Sequence, residues 1–181
     1  MLPLRVGIGH DTHRLAEGVA ILLGGVRIPC DYALVGYSDA DVLLHAITDA
    51  ILGAAGLGDI GELFPDNDPV NKERDSAEIL MEAFRLVKKS GWKIVNLDCI
   101  IFAETPKFGH YKLDIRFRIA ELLEMNSNHV NVKAKTGEKV GYIGRGEAIS
   151  AQCVALLSHP SESRPKLLEM SQSAGNNVSD P

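Results

Sequence analysis

The chain has 181 residues, 45% of them hydrophobic, with a formal net charge of -5 and a pI near 5.7. That length and apolar content can bury one good core, so a single domain is expected. The acidic balance excludes the basic face that a nucleic-acid or membrane-surface partner requires, and no apolar run approaches the roughly 20 residues of a membrane span.

With Met1-Leu2-Pro3 leading straight into a strand, no signal or transit peptide is expected. Leu4 to Ile8 is β-prone, and Gly7 and Gly9 lighten its end before Asp11-Thr12-His13. Gly7-x-Gly9 is not a dinucleotide fingerprint, because Thr12 stands where the third glycine would be and no apolar helix follows. Ala20 to Ile28 reads as two short strands around a Gly24-Gly25 turn. Cys30, Cys99 and Cys153 are scattered, odd in number and without a Cys-x-x-Cys. They read as small core residues in a reducing compartment, which points to a cytoplasmic protein.

Ser38 and Asp41 form a capping-box pair at the mouth of a helix running to about Ala55. Val42, Leu43, Leu44, Ala46, Ile47, Ala50, Ile51 and Leu52 make that helix apolar on most of its circumference, so it should be largely buried. Asp41, His45 and Asp49 fall at i, i+4 and i+8 on one polar line. A solvated face would more often carry Lys, Glu or Arg, so the line is read as a wall of a polar pocket. Residues 56–69 form a long Gly/Pro/Asp loop, which Leu57, Ile60, Leu63 and Phe64 should anchor and order.

A second helix is announced by Asp75-x-x-Glu78 and closed by Gly91. Trp92 to Phe102 is a β-rich strand, Ala103 to Gly109 a turn, and Tyr111 to Met125 a third helix. The strand Val130 to Ala134 alternates apolar and polar, and a glycine-punctuated loop from Gly137 to Gly146 precedes a last strand, Glu147 to Leu157. From Ser158 the composition turns to Ser, Pro, Asn and Lys, so the chain divides into a domain at 1–157 and a disordered tail at 158–181. The order β-ββ-α-α-β-α-β-β predicts an α+β fold, a single-domain sandwich with helices packed on one face of one sheet.

The chemistry concentrates on Asp11 and His13, which point to one face of a strand, and on His45. One carboxylate and two imidazoles suit a catalytic zinc with an open fourth position. An Asp-x-His alone arises often by chance. Glu138, in Lys135-Thr136-Gly137-Glu138-Lys139, is a second hard-ligand candidate that by itself would be an ordinary exposed glutamate. Its surroundings suit anions, with Lys133, Lys135, Lys139 and Gly141-Tyr-Ile-Gly144-Arg145-Gly146 close in sequence. Without a helix after it, this is not a P-loop.

No side-chain nucleophile is apparent: there is no Gly-x-Ser-x-Gly, no cysteine near a base and no lysine in an apolar setting. A substrate that brings its own nucleophile would need none. A phosphate monoester, with a second pKa of roughly 6, is largely a dianion at neutral pH and asks only for positioning and relief of charge repulsion. Zinc on one phosphate and magnesium bridging two would supply both.

Several separated motifs then match one family. They are Asp11-x-His13, Ser38-Asp39-x-Asp41-Val-x-Leu-His45-Ala-x-Thr-Asp49, Gly58-Asp59-Ile-Gly61-x-Leu-Phe-Pro-Asp66-x-Asp68, Val132-Lys-Ala134 through Glu138-Lys-x-Gly141, and Gly144-Arg145-Gly146-Glu147. From about Arg5 to Leu157 the chain resembles the 2-C-methyl-D-erythritol 2,4-cyclodiphosphate synthase family of non-mevalonate isoprenoid biosynthesis. The resemblance implies a homotrimer with active sites between subunits. It implies Zn2+ on Asp11, His13 and His45, and Mg2+ or Mn2+ on Glu138 and the substrate's phosphates. The implied substrate is 4-diphosphocytidyl-2-C-methyl-D-erythritol 2-phosphate, whose 2-phosphate attacks the β-phosphorus to release CMP.

The family's methylerythritol pocket corresponds to Asp59, Ile60, Gly61 and the Phe64–Asp68 loop, with Phe64, Asp66 and Asp68 in contact with substrate, and Ser38 is a further substrate-binding position. Its cytidine pocket corresponds to Ala103, Pro106, Lys107, Phe108 and Gly109 with Ala134, Lys135 and Thr136 of the neighbouring subunit. Arg145 and Glu147, with Tyr142 nearby, would line a central channel that can hold isoprenoid diphosphates. Tyr37 stands where the family commonly has a transition-state-stabilising His; a phenol can donate a hydrogen bond but cannot become cationic. Thr136, the other stabilising position, is kept. The Thr-Thr-Thr-Glu usual there reads Lys135-Thr136-Gly137-Glu138, Tyr142 and Ile143 replace Phe and Thr, and His10 stands where some members have Phe. No metal ligand is lost. Two other readings compete: a zinc-dependent phosphohydrolase, and an inert trimer that binds isoprenoid diphosphates.

Overall fold

Residues 3–65 and 67–160 are described in a computed structural model of the chain. The first strand, β1 (Leu4–Glu17), obeys the two-residue alternation of a half-covered strand: Gly7 and Gly9 are buried, while Leu4, Val6 and Ile8 are exposed. It carries Asp11 and His13 as expected and runs on past them to Glu17. The hairpin β2 (Ala20–Leu23) and β3 (Val26–Pro29) turns through Gly24 and Gly25, whose φ angles of +61° and +73° only glycine adopts without strain. A fourth strand that the sequence reading did not identify, β4 (Tyr32–Val35), pairs with the last residues of β1.

Helix α1 (Val42–Ala55) is buried on nearly every side, as its composition required. Its cap differs from the expected Ser38/Asp41 box. Asp41 is itself the N-cap, accepting from the Leu43 and Leu44 amides, and Ser38 lies outside the helix. The carboxylate takes this position because it also accepts from Gly24 N (2.9 Å) and Gly25 N (2.7 Å), which pins the hairpin turn to the helix start.

The 56–69 loop is ordered in its described residues and contains a turn of helix, α2 (Ile60–Leu63), and a single 3-10 turn at Pro69–Asn71. Helix α3 (Ser76–Lys89), capped by Asp75, shows the expected amphipathic pattern and leads into β5 (Lys93–Phe102). Helix α4 (Lys112–Leu122) and β6 (Val130–Lys135) follow. The 137–146 segment, expected as loop, holds one more helical turn, α5 (Gly141–Gly144), before β7 (Ala148–Ser158).

The sheet order is β4-β1-β7-β5-β6. β7 is antiparallel to both β1 and β5, and β5 is parallel to β6. The long helices α1, α3 and α4 lie on one face, with α1 across β1 and β7, and the single turn α5 sits against β7. The α+β sandwich read from the sequence therefore holds. Of the proposed tail, Ser158 closes β7 and residues 161–181 lie outside the described residues, as does Asp66. Among the described residues no helix is long and apolar enough to cross a membrane.

Candidate active site

Gly7 and Gly9 let α1 lie directly on β1, and that contact builds the site. Beyond them Asp11 and His13 continue the same inward-facing row, and His45 descends from α1 to meet them. His45 Nδ1 stands 2.9 Å from Asp11 Oδ2, and His13 Nε2 stands 3.4 Å from the same oxygen. The two imidazoles meet edge to face with centroids 5.2 Å apart. One ligand atom from each of the three residues lies within 4.8 Å of the others.

The donor set fits a divalent metal. His13 Nε2 is buried with no hydrogen-bond partner, so this ring atom pointing at a carboxylate oxygen is left for an ion to satisfy. Burial is the largest influence on both side chains. It pushes the His13 imidazolium below its usual value, against the pull of Asp11. On Asp11 it acts upward, but the His45 contact and the charges of both imidazoles outweigh it and hold the carboxyl below its ordinary range. An ionised carboxylate beside a neutral His13 is the state a metal requires.

The expected polar line on α1 divides three ways. Only His45 faces the cavity. Asp41 is fully buried against the hairpin, where burial raises its pKa against the amides of Gly25, Leu44 and Gly24. Asp49 accepts from Ile60 N at 2.9 Å and so fixes the start of α2; burial raises it as well, against that amide.

His13, His45, Tyr37, Ser38, Ile60, Gly61 and Phe64 line a cavity of about 330 Å³ together with Pro65, the next residue of the expected pocket loop, and with Asn71 and Ile79, which the sequence reading did not place there. Tyr37 donates its phenol to the Asp68 carbonyl (3.2 Å) at the rim. Asp59 and Asp68 do not line this cavity; they cap the turns that shape it, Asp59 through Glu62 N (2.9 Å) and Asp68 through Val70 N (3.0 Å).

Ala103, Pro106, Lys107, Phe108, Gly109, Ala134, Lys135 and Thr136 come together with Ile101 around a second cavity of about 210 Å³. Both halves of this set belong to one chain. Beside it, Thr136 donates to Glu138 Oε1 (3.0 Å), and Glu104 accepts from Gly137 N (3.2 Å). Glu138 and Lys139 both have positive φ, so this turn is held in a strained conformation. Tyr142 and Arg145 join neither cavity. Tyr142 lies with His10 and Ser150 on the face of the sheet opposite the helices, and Arg145 pairs with Glu147 at 2.7 Å.

A model of the YgbB family matches residues 4–158. A 2-C-methyl-D-erythritol 2,4-cyclodiphosphate synthase from Geobacillus kaustophilus is 53% identical over 153 residues, which cover 84% of this chain and 97% of that protein. One from Listeria monocytogenes is 53% identical over 154 residues, covering 85% and 98%. Among solved structures, IspF of Plasmodium falciparum in complex with CDP is similar at a TM-score of 0.76 and 35% identity, over 87% of this chain and 97% of that one. The bifunctional IspDF of Campylobacter jejuni superposes with a TM-score of 0.85 and 40% identity over 89% of this chain, which spans 44% of its length.

Proposed function

The chain belongs to the YgbB family, and from that membership and the site we propose how it works as a 2-C-methyl-D-erythritol 2,4-cyclodiphosphate synthase of non-mevalonate isoprenoid biosynthesis, a phosphorus–oxygen lyase. The observation that carries the mechanism is the half-buried Asp11, His13 and His45 set opening onto a cavity with polar and apolar walls. These three residues would hold Zn2+, and Glu138 with the substrate's phosphates would hold Mg2+ or Mn2+. Bound there, such ions would supply charge neutralisation to the two phosphates of 4-diphosphocytidyl-2-C-methyl-D-erythritol 2-phosphate.

Ile60, Gly61 and Phe64 offer an apolar wall for the methylerythritol carbon chain, with the Ser38 hydroxyl and the Tyr37 phenol at its polar edge. Phe108, Ile101 and Pro106 give the cytosine an apolar bed. Lys135 adds a cation and Thr136 a hydroxyl for the phosphate that becomes CMP. An oxygen of the 2-phosphate bonds to the β-phosphorus, the bond from that phosphorus to the CMP oxygen breaks, and the ring closes. No proton changes hands. The residues therefore position and stabilise, as phosphoryl transfer asks, and the absence of a side-chain nucleophile follows.

The active unit is a homotrimer with each site shared between copies. Two observations support this. The two cavities share no lining residue, and the sheet face opposite the helices leaves Leu4, Val6 and Ile8 exposed, each by more than half. His10, Tyr142, Arg145 and Glu147 would then border a central channel suited to an isoprenoid diphosphate. The three free cysteines suit a reducing, cytoplasmic setting.

Phosphorus NMR of the protein with zinc, magnesium and the diphosphocytidyl substrate tests the reaction. CMP appearing with a cyclic diphosphate is expected. CMP with a linear diphosphate would make the protein a zinc-dependent phosphohydrolase, and no turnover with zinc bound would make it an inert isoprenoid-diphosphate-binding trimer.

A further inference from the structure

Behind His45, on the side away from Asp11, stand Ser76 and Asp39, a polar pair that none of the roles above uses. His45 Nε2 lies 2.9 Å from Ser76 Oγ and 3.1 Å from Ser38 Oγ. Ser76 is the first residue of α3 and fully buried. Its hydroxyl donates to Asp39 Oδ1, and its amide donates to Asp39 Oδ2 at 3.0 Å. Asp39 is fixed in turn, since its Oδ1 accepts from Asp41 N (3.2 Å) and its own amide donates to the Arg74 carbonyl (3.2 Å).

Counting protons along this chain settles its direction. An ionised carboxylate only accepts, and a serine has one O–H. Given to Asp39, that proton leaves Ser76 Oγ an acceptor toward His45. The hydrogen between His45 and Ser76 must then sit on Nε2. In a neutral imidazole the other nitrogen is bare, and Nδ1 is the atom 2.9 Å from Asp11 Oδ2. A lone pair facing a carboxylate oxygen repels it unless a cation lies between them. The chain thus selects the tautomer that can ligate a metal and aims it at the centre of the three residues.

We propose that Ser76 and Asp39 form a positioning relay, Asp39–Ser76–His45, that locks His45 in its Nε2–H tautomer and so makes Nδ1 a metal ligand. The relay rests on the reading of Asp11, His13 and His45 as the zinc site. It predicts an unequal effect of two substitutions. Ser76→Ala removes the acceptor for Nε2–H but leaves Ser38 Oγ nearby. Asp39→Asn never touches His45, yet its amide can donate to Ser76 Oγ. Ser76 would then donate to Nε2 and move the proton to Nδ1, where it blocks the metal.

Zinc affinity, measured on the full chain by competition with a chromogenic chelator, should fall about 10–100-fold in Ser76→Ala and at least as far in Asp39→Asn. Ser76→Thr, which keeps the hydroxyl, should restore it. Long-range 15N NMR of the zinc-free Asp11→Ala protein, where no carboxylate faces Nδ1, should place the His45 proton on Nε2, and on Nδ1 in a growing share when Asp39→Asn is added. Ser90→Ala, which removes a hydroxyl bonded to the Val87 carbonyl at the far end of α3, checks that loosening this helix alone does not release zinc. Wild-type zinc affinity in both Ser76→Ala and Asp39→Asn, or a proton on Nδ1 in the zinc-free Asp11→Ala protein, would overturn the relay. If His45→Ala also kept its zinc, the fault would lie with the zinc-site assignment beneath it.

Discussion

Gly9→Ala is the substitution that most directly tests whether strand and helix build the site together. A Cβ at Gly9 would stand 1.9 Å from the Ala46 carbonyl oxygen and 2.7 Å from Ala50 N, where ordinary contacts begin near 3.4 Å. Both obstacles are helix backbone, so no side chain can swing away. Helix α1 must rise by about 1.5 Å or the strand must bend, and overpacking of this kind costs ~1–3 kcal/mol. The displaced residue, Ala46, is bonded to His45, while Asp11 and His13 stay on the strand. Metal–ligand distances tolerate only about 0.2 Å, so a lift of this size takes His45 out of reach. Urea unfolding should show a lowered midpoint with an unchanged slope, and metal analysis of the refolded protein should show zinc well below one per chain. Gly53→Ala supplies the contrast, because nothing lies within 4 Å of its added carbon; there, replacing a helical glycine should stabilise by ~0.5–1 kcal/mol. A Gly9→Ala protein with the original midpoint and full zinc would refute the claim that α1 rests on this glycine.

Asp41→Ala strips the partner from four backbone amides, those of Gly24, Gly25, Leu43 and Leu44, at a position with no solvent access. Losing a cap costs ~1 kcal/mol and each buried orphaned donor ~1–3, so a loss above about 3 kcal/mol is expected in denaturant unfolding, and wild-type stability would contradict it. Ala40 sits at φ +62° with its methyl buried. Ala40→Gly relieves ~1–2 kcal/mol of left-handed strain and forfeits ~0.8 for the methyl, so the thermal midpoint should rise slightly; a marked fall would show that packing governs this turn. Tyr37→Phe removes the bond to the Asp68 carbonyl at the cavity rim. Its KM should rise with zinc content unchanged, Tyr37→His should be tolerated, and zinc loss in Tyr37→Phe would mean the rim and the metal residues are not separable.

What the sequence made legible follows from what its signals measure. Long apolar patterns report burial, so α1, α3, β5 and β7 were found within a few residues of their ends. The opening strand was legible through Asp11 and His13, but its last residues, Arg14 to Glu17, carry no β-branched or aromatic side chain, so nothing local marked them as strand. Spacing on a helix gives direction but not depth. Asp41, His45 and Asp49 share a line, yet a hairpin covers the first, a cavity takes the second and a loop amide holds the third. Ser76 was invisible because it lies 31 residues from His45 and resembles any serine at a helix start. Gly7-x-Gly9 was rightly refused as a nucleotide loop, but its positive role lay outside any local reading. The two glycines set the height of α1 above the sheet, and that height decides whether a histidine on the helix and an Asp-x-His on the strand become one site.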